Sequence, residues 1–274
     1  MTGKEEKQIE LSVIATHHRT PELLKLFLES LKAAATDLRL EIIVVDSEAE
    51  EETGEFLASD FPEIIYLPFK ENTGYAKLVN AGLNRARGEY LLVLNADIIL
   101  VSGALEKMLQ YMKENFTAGM LGPQLLNFNG SRQESCFRWY RPLTILYRRT
   151  WLGKTAAGKK DLARFLMKDQ DLARPQAVDW LLGAAMFFRR AAFSSVGPMD
   201  ERFFMYFEDV DWCRRFHQHG WQVVYFPDAK IYHYHGKVSK TESFWSHFFN
   251  KYFWIHLSSA FKYFLKHGWS IPKS

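Results

Sequence analysis

Gly88-Glu-Tyr-Leu-Leu-Val-Leu-Asn-Ala-Asp97 is the stretch on which the reading of the fold turns. Its central run, Tyr90–Leu94, is continuously apolar and reads as a strand buried on both faces, the habit of parallel sheets. A helical pattern from about Gly74 to Ala86 leads into it, and the polar triplet Asn95-Ala96-Asp97 follows it at once. The same alternation precedes it. Leu11-Ser-Val-Ile-Ala15, Glu41-Ile-Ile-Val-Val45 and Ile64-Ile-Tyr-Leu67 are further short apolar runs. Between the first two, Thr20 is placed to cap a helix with Pro21 at its first position and Leu23, Leu24, Phe27, Leu28 and Leu31 as its inward stripe. Repeated β-α-β order predicts an α/β fold with a doubly wound, mostly parallel sheet that binds ligands at the carboxyl ends of its strands. Polar residues fall at those ends: Thr16-His17-His18, then Asp46, then Asn95 and Asp97.

Composition sets the outer bounds. A chain of 274 residues with 47% hydrophobic content can bury a full core, as one large α/β domain or a domain with an appendage. Cys136 and Cys213 are its two cysteines; they make neither a disulfide framework nor metal-ligand spacing, so the expected compartment is the reducing cytoplasm. The N-terminus lacks the apolar segment of a signal peptide, and no run reaches the roughly 18 apolar residues of a membrane span. The formal charge of +3 is unevenly placed. From Arg138 to Arg174 there are ten Lys or Arg against three Asp or Glu, a local +7 that leaves −4 elsewhere. Trp139, Tyr140, Tyr147 and Trp151 sit among these charges, a mixture suited to phosphate-bearing partners or to peripheral contact with an anionic membrane face. No nucleic-acid recognition motif accompanies them, so nucleic acid is not an expected partner. Neither Gly-x-Gly-x-x-Gly nor Gly-x-x-x-x-Gly-Lys-Ser/Thr is present, which excludes a dinucleotide fold and a P-loop.

Beyond residue 115 further strands are expected at Met120–Leu125, Ala184–Phe188 and Gln222–Phe226, with a helix from Phe207 or Glu208 to about His219 that Gly220 terminates. From Glu242 to His267 the chain is helical and densely aromatic. Lys251, Lys262 and Lys266 interrupt it too often for a span, which leaves packing on protein or lying in an interface.

Three carboxylates carry the chemistry. In Asp200-Glu-Arg-Phe-Phe-Met-Tyr-Phe-Glu-Asp-Val-Asp-Trp212, Glu208, Asp209 and Asp211 crowd like charges into an aromatic setting, which disfavours ionisation and can poise one of them as a general base. The plainer reading makes Asp209 and Asp211 part of a solvated first helical turn. Asn95 and Asp97, as alternate residues of an extended chain, would face the same side and suit Mg²⁺ or Mn²⁺; as ordinary turn residues they would bind nothing. His233 and His235 share the same alternation, and either could be a hydrogen-bonded structural residue.

Taken in order, these residues resemble the family 2 glycosyltransferases, inverting enzymes of the GT-A fold that use nucleotide-diphosphate sugars. The resemblance runs from about Leu11 to Ser239 and rests on Glu41–Asp46, Glu71-Asn-Thr-Gly-Tyr-Ala76 with Asn80, Gly88–Asp97, Val178-Asp-Trp-Leu-Leu-Gly-Ala-Ala185, and Asp200–Asp211. It is nearest to the bacterial rhamnosyltransferase-like branch that builds cell-surface polysaccharides. It implies a GT-A catalytic domain over residues 1–236, with the basic segment 138–174 on the acceptor or membrane side, and a C-terminal helical extension over 237–274. It implies that Asp46 contacts the base or ribose, that the backbone of Ala15 and Thr16 lines the same pocket, and that Asn72, Gly74 and Asn80 begin the nucleotide-side helix. Asp97 matches the second acid of the family's Asp-x-Asp metal motif and Asn95 replaces the first. His233 matches a C-terminal-side metal ligand of some relatives. Trp180 and Gly183 match residues that line the donor sugar and acceptor, though Trp180 reads equally well as core. Asp209 would be the base, with Asp211 or Glu208 as orienting partner or substitute. His17-His18 and Ser47-Glu48-Ala49 depart from the usual residues near the nucleotide pocket, leaving UDP and dTDP as the leading donor types. The implied acceptor is a glycan or a lipid-linked sugar, met at the inner face of the cell membrane. A nucleotidyltransferase would show a glycine-rich loop where Thr16–Pro21 has none. A non-catalytic sugar-nucleotide-binding or scaffold protein would not need Asp97 with Glu208-Asp209.

Overall fold

In the computed structural model, which describes residues 9–35, 38–234 and 251–269, the expected alternation forms the first half of the sheet. Strands β1 (Leu11–His18), β2 (Leu40–Ser47), β3 (Ile65–Phe69) and β4 (Tyr90–Asn95) alternate with helices α1 (Pro21–Ala34), α2 (Glu51–Asp60) and α3 (Tyr75–Arg85). They lie parallel in the order β3-β2-β1-β4. Parallel register sets His17 beside Asp46 and Thr16 beside Asn95, so the polar strand ends converge at one edge. Alternate residues of β1 enter opposite cores: Val13 packs with Leu24, Phe27 and Leu28 of α1, and Ile14 with Val79 and Leu83 of α3.

Past β4 come β5 (Ile98–Leu100), α4 (Ala104–Glu114), β6 (Ala118–Leu126) and β7 (Cys136–Phe137). The basic segment folds as α5 (Pro142–Arg149), a 3₁₀ turn at Trp151–Lys154, and α6 (Ala156–Phe165). Then follow β8 (Gln176–Ala177), β9 (Trp180–Leu181), β10 (Ala185–Arg189), α7 (Arg190–Val196), α8 (Glu208–Gln218), β11 (Gln222–His233) and α9 (Lys251–His267). The full sheet runs β3-β2-β1-β4-β10-β6-β11-β5. It is mixed, with β10 antiparallel between β4 and β6, and β5 antiparallel against β11. Two local expectations change. Thr20 sits at the α1 cap position without capping; its hydroxyl donates back to the His18 carbonyl. The strand expected to end at Phe226 continues, through an irregularity between Phe226 and Lys230, to His233.

Helix α9 packs on α8 and on the loop before it. Ser259 Oγ donates to the Met205 carbonyl at 2.9 Å, Lys262 Nζ to that of Arg202 at 2.8 Å, and Arg214 Nη1 to Tyr263 Oη at 3.1 Å. At the centre of this contact Asp211, fully buried, meets Arg215 Nε at 3.0 Å and Lys266 Nζ and His267 Nε2 at 2.6 Å each. Burial alone would raise its pKa, but His267, Lys266 and Arg215 outweigh burial and hold it below the usual carboxylate range. Its stabilising effect is therefore present above the ordinary Asp pKa and lost as pH falls through the lowered one. Asp211→Asn leaves the Arg215 guanidinium without its paired carboxylate and Lys266 with Asp200 alone, and should cost about 3–5 kcal/mol in urea unfolding at pH 7, a gap that narrows in strong acid. An unchanged midpoint would show that the cluster holds nothing.

Candidate active site

The converging strand ends open into a cleft of about 520 Å³, lined by Thr16, His17 and Ser47 on one side, Asn72 and Tyr75 on another, and Asn95 to Asp97 on the sheet. A larger hollow of about 930 Å³ lies away from these residues, along α4 and Phe226–Lys230. Asn95 accepts a hydrogen bond from Thr16 Oγ1 at 3.2 Å. Asn95 and Asp97 both reach the cleft, but through a turn at Ala96–Asp97 rather than along one extended strand.

Asp97 Oδ1 is buried without a hydrogen bond and lies 3.4 Å from His233 Nε2, which β11 brings alongside β5. The ring of His233 is oriented by Gln133, a residue with no marked motif around it. Gln133 Nε2 donates to the His233 carbonyl at 2.7 Å and to Asn127 Oδ1 at 2.9 Å, so its Oε1 is the acceptor for His233 Nδ1 at 2.9 Å. With Nδ1 at Gln133, the Nε2 edge of the ring lies toward Asp97. A carboxylate oxygen lacking a hydrogen bond beside an imidazole nitrogen fits a divalent cation. Among the described residues no group of three or more His, Cys, Asp or Glu comes together, so the remaining ligands would be diphosphate oxygens and water. His235 lies outside the described residues.

The nucleotide side differs from expectation in three places. Asp46 is buried behind the cleft, with Oδ1 held by His17 Nδ1 at 2.7 Å and Oδ2 by Tyr66 Oη at 2.8 Å. His17 Nε2 in turn accepts from the Thr20 N–H at 3.0 Å. Asp46 therefore orients a cleft-lining imidazole instead of presenting a free carboxylate. Ala15 is entirely in the core, whereas Thr16 does line the cleft. Asn80 clamps the chain ahead of α8, donating to the Met199 carbonyl and accepting from the Met199 N–H, both at 2.9 Å. Asn72 lines the cleft and accepts from the Gly74 N–H at 3.1 Å. Gly74 has φ +88°, and a Cβ there would lie 2.5 Å from the Phe204 carbonyl oxygen, so only glycine lets α3 start this close to the acidic loop. The Tyr75 N–H bonds the same carbonyl at 2.9 Å.

That loop ends in Tyr206 and Phe207, both with φ 68°, consecutive left-handed residues that each cost on the order of 1–3 kcal/mol. They turn the chain so that Glu208 and Asp209 open α8 facing inward, both buried. Asp209 Oδ2 accepts from the Gly183 N–H at 3.1 Å and Oδ1 from the Val210 N–H at 2.8 Å. Burial pushes the Asp209 carboxyl up to about 6, with the Gly183 and Val210 N–H groups and the charge of Arg148 opposing a further rise. Glu208 is raised well above the carboxylate range, by burial first and then by the Asp209 charge, and its Oε2 has no hydrogen bond. Asp211 does not join them. Two residues on along the helix, it faces the Arg215–Lys266–His267 cluster and has no oxygen to spare for a substrate.

Gly183 connects the two sides. Its carbonyl accepts from Tyr75 Oη at 2.5 Å while its N–H serves Asp209. Burial raises the Tyr75 phenol well above its usual value, and the charges of Glu208, Asp209 and Asp97 raise it further, so one ring stands within electrostatic reach of all three acids. Tyr75 follows directly on Gly74 in the Asn-Thr-Gly-Tyr motif, the one signal that marked it. Trp180 takes the core role: it stacks on Phe137 at 4.2 Å and its Nε1 donates to the Arg138 carbonyl at 3.0 Å.

Solved proteins share this architecture at low identity. The mannosyltransferase PcManGT from Pyrobaculum calidifontis, in complex with GDP-Man and Mn²⁺, superposes with a TM-score of 0.60 at 16% identity, covering 97% of this chain and 67% of its own. GalNAc-T7 with UDP, GalNAc and Mn²⁺ gives 0.59 at 13% identity, covering 96% of this chain and 57% of its own. Among sequences, the N-acetylglucosaminyl-diphospho-decaprenol L-rhamnosyltransferase of Mycobacterium tuberculosis is 29% identical over 252 residues, 82% of this chain and 76% of that protein. Rhamnosyltransferase WbbL of Escherichia coli is 25% identical over 256 residues, 92% and 91% of the two chains. The family model of glycosyl transferase family 2 matches residues 12–196, well over half the chain, and with a GT-A sheet carrying its cleft at the strand ends this protein belongs to glycosyl transferase family 2.

Proposed function

We propose that the protein transfers a sugar, with inversion, from a nucleotide-diphosphate donor to a hydroxyl of a sugar carried on a lipid diphosphate, at the cytoplasmic face of a membrane. The observation that carries this reading is Asp209: a buried carboxylate with a raised pKa, fixed by the Gly183 and Val210 N–H groups, with Tyr75 in electrostatic reach of both it and Asp97. Rhamnose is the proposed sugar and dTDP or UDP the proposed carrier. Three relatives support the sugar by name, among them a dTDP-rhamnosyl transferase of Shigella flexneri that is 24% identical. The M. tuberculosis relative is named for a diphospho-decaprenol acceptor, which supports the acceptor class.

Each residue's part follows from its surroundings. Thr16, Ser47, Asn72 and Asn95 offer polar contacts along the cleft, and His17 is held in one orientation by Asp46. Asp97 and His233 would hold Mg²⁺ or Mn²⁺, which when bound offsets the negative charge that develops on a departing diphosphate. Burial and the Asp209 charge favour the protonated form of Glu208, so a single negative charge on the pair favours Asp209. Asp209 then accepts the proton of the attacking hydroxyl, and one displacement with one base inverts the anomeric centre. Membership of family 2 sets aside the nucleotidyltransferase alternative.

Asp209→Asn should retain nucleotide binding by calorimetry and lose roughly 10²- to 10⁴-fold in turnover; near-normal turnover would remove Asp209 from its role. In the wild type, turnover should rise with pH through about 6 as Asp209 loses its proton, and this limb should vanish in the variant. Thermal stabilisation by UDP, dTDP and GDP should single out one base, require Mn²⁺ and reverse with EDTA. Gln133→Ala removes the hydrogen bond at His233 Nδ1 and should weaken Mn²⁺ binding, titrated in the presence of that nucleotide, by roughly 10- to 100-fold. Equal affinity would show that the ring needs no such support.

A further inference from the structure

Helices α5 and α9 lie side by side and enclose a groove of about 320 Å³, lined by Ile145, Leu146, Phe253, Leu257 and Phe261 with Arg149 as its cation. Its rim is open: Leu146 is 42% exposed, Leu257 43% and Phe261 56%. Among the described residues no helix is long and apolar enough to cross a membrane. The volume falls at the lower end of the roughly 300–1,000 Å³ found for small-molecule sites, and the shape is concave, which suits one chain-like ligand better than a flat bilayer.

The charges beside the groove are ordered. Arg149 lines it, and Arg148 is the next residue toward the helix start, with its guanidinium 5.7 Å from the Tyr140 ring centre and 5.1 Å from that of Phe165. Among the described residues neither arginine forms an ion pair with a carboxylate, although other arginines of this region do, Arg141 and Arg164 both meeting Asp161. Burial, and then the charge of Arg148, lowers the Arg149 pKa, so an anion set between the two would relieve a repulsion already present. His256, which also lines the groove, is kept neutral, pushed down to about 3 by burial and by the same two arginines. Arg148 is also within electrostatic reach of Asp209. In order, then, come the buried carboxylate of Asp209, two guanidiniums that among the described residues meet no carboxylate, and an apolar trough.

We propose that the α5–α9 groove with Arg148 and Arg149 is the seat of the acceptor's lipid diphosphate, the diphosphate lying against the two guanidiniums and the first hydrocarbon units along the trough. This assignment rests on the transfer reaction proposed above, because it takes the sugar hydroxyl to lie at Asp209. The order hydroxyl, diphosphate, hydrocarbon in such an acceptor is the order base, guanidiniums, trough in the protein. Guanidinium pairs favour phosphate oxygens through charge-assisted hydrogen bonds, and each methylene buried adds about 0.8 kcal/mol.

The test is calorimetry of the full chain with farnesyl diphosphate, inorganic diphosphate and farnesol, in EDTA and with saturating nucleoside diphosphate to occupy the donor cleft. Farnesyl diphosphate should bind at least tenfold more tightly than either fragment. The double variant Leu257→Gln/Phe261→Gln should lower its affinity at least tenfold and leave that of inorganic diphosphate alone, while Arg149→Gln should weaken both diphosphates and not farnesol. Melting curves report folding, and Leu146→Gln on the α5 side repeats the test should the double variant be unstable. Equal affinities in wild type and variants would overturn the assignment. So would variants that lose only adhesion to phosphatidylglycerol vesicles, which would make the face a bilayer contact, or only a dimer seen in sedimentation, which would make it a contact between copies. Binding of UDP or dTDP with Mn²⁺ reads the donor cleft separately: its failure would sink the transfer reaction while the farnesyl diphosphate result still decides the groove.

Discussion

Side chains two residues apart on an α-helix point about 200° from one another, and the site depends on that constraint at the first turn of α8. Asp209 faces Gly183, whereas Asp211 faces Arg215, Lys266 and His267. The two carboxylates are driven in opposite directions, one raised by burial against backbone donors and the charge of Arg148, the other held low by hydrogen bonds from His267 and Lys266 and the charges of Arg215 and Lys266. One helical turn therefore carries a carboxylate that favours its proton on one side and an anchored one on the other. The strained pair Tyr206 and Phe207 is what aims the turn, and the bonds of α9 to Met205 and Arg202 hold the loop that carries the strain.

The cleft and the base are joined by backbone more than by side chains. Gly74 and Tyr75 approach Phe204 so closely that no Cβ fits, and Gly183 bonds Tyr75 with its carbonyl and Asp209 with its N–H. Peptide groups in such contacts have few alternative positions. The position of Asp209 relative to α3 is consequently set by main-chain geometry, with the Tyr75 ring in electrostatic reach of both Asp97 and Asp209.

The sheet was legible because buried parallel strands leave an unbroken apolar run with polar residues at one end, as in Tyr90–Asp97. The antiparallel β10 was not distinguishable from a parallel strand, since Ala185–Arg189 is equally apolar and periodicity carries no direction. At the site, residue type and motif singled out Asp97, His233 and Asp209; Asp97 lines the cleft, His233 lies beside it, and Asp209 is tied to it through Gly183 and Tyr75. What they could not reveal is which atoms were already taken. Asp46 looked available until β1 set His17 beside it, and Asp211 looked equivalent to Asp209 until a helix more than fifty residues later supplied its partners. Gln133 and Tyr75 carried little local signal, because their importance lies in a hydrogen bond to a distant residue and not in any pattern around them.

The Asp211 cluster also bears on how such chains can be recombined. Composition changes near residue 237, and a cut there would suggest two exchangeable modules. The partners of Asp211 come from both sides of that line, Arg215 from α8 and Lys266 with His267 from the last turn of α9. A helix grafted from another source could cover the same apolar surface and still leave a buried charge unanswered. Only donors that keep a basic residue and a histidine at those two final positions would be interchangeable, so the catalytic segment and its C-terminal helix must be inherited together.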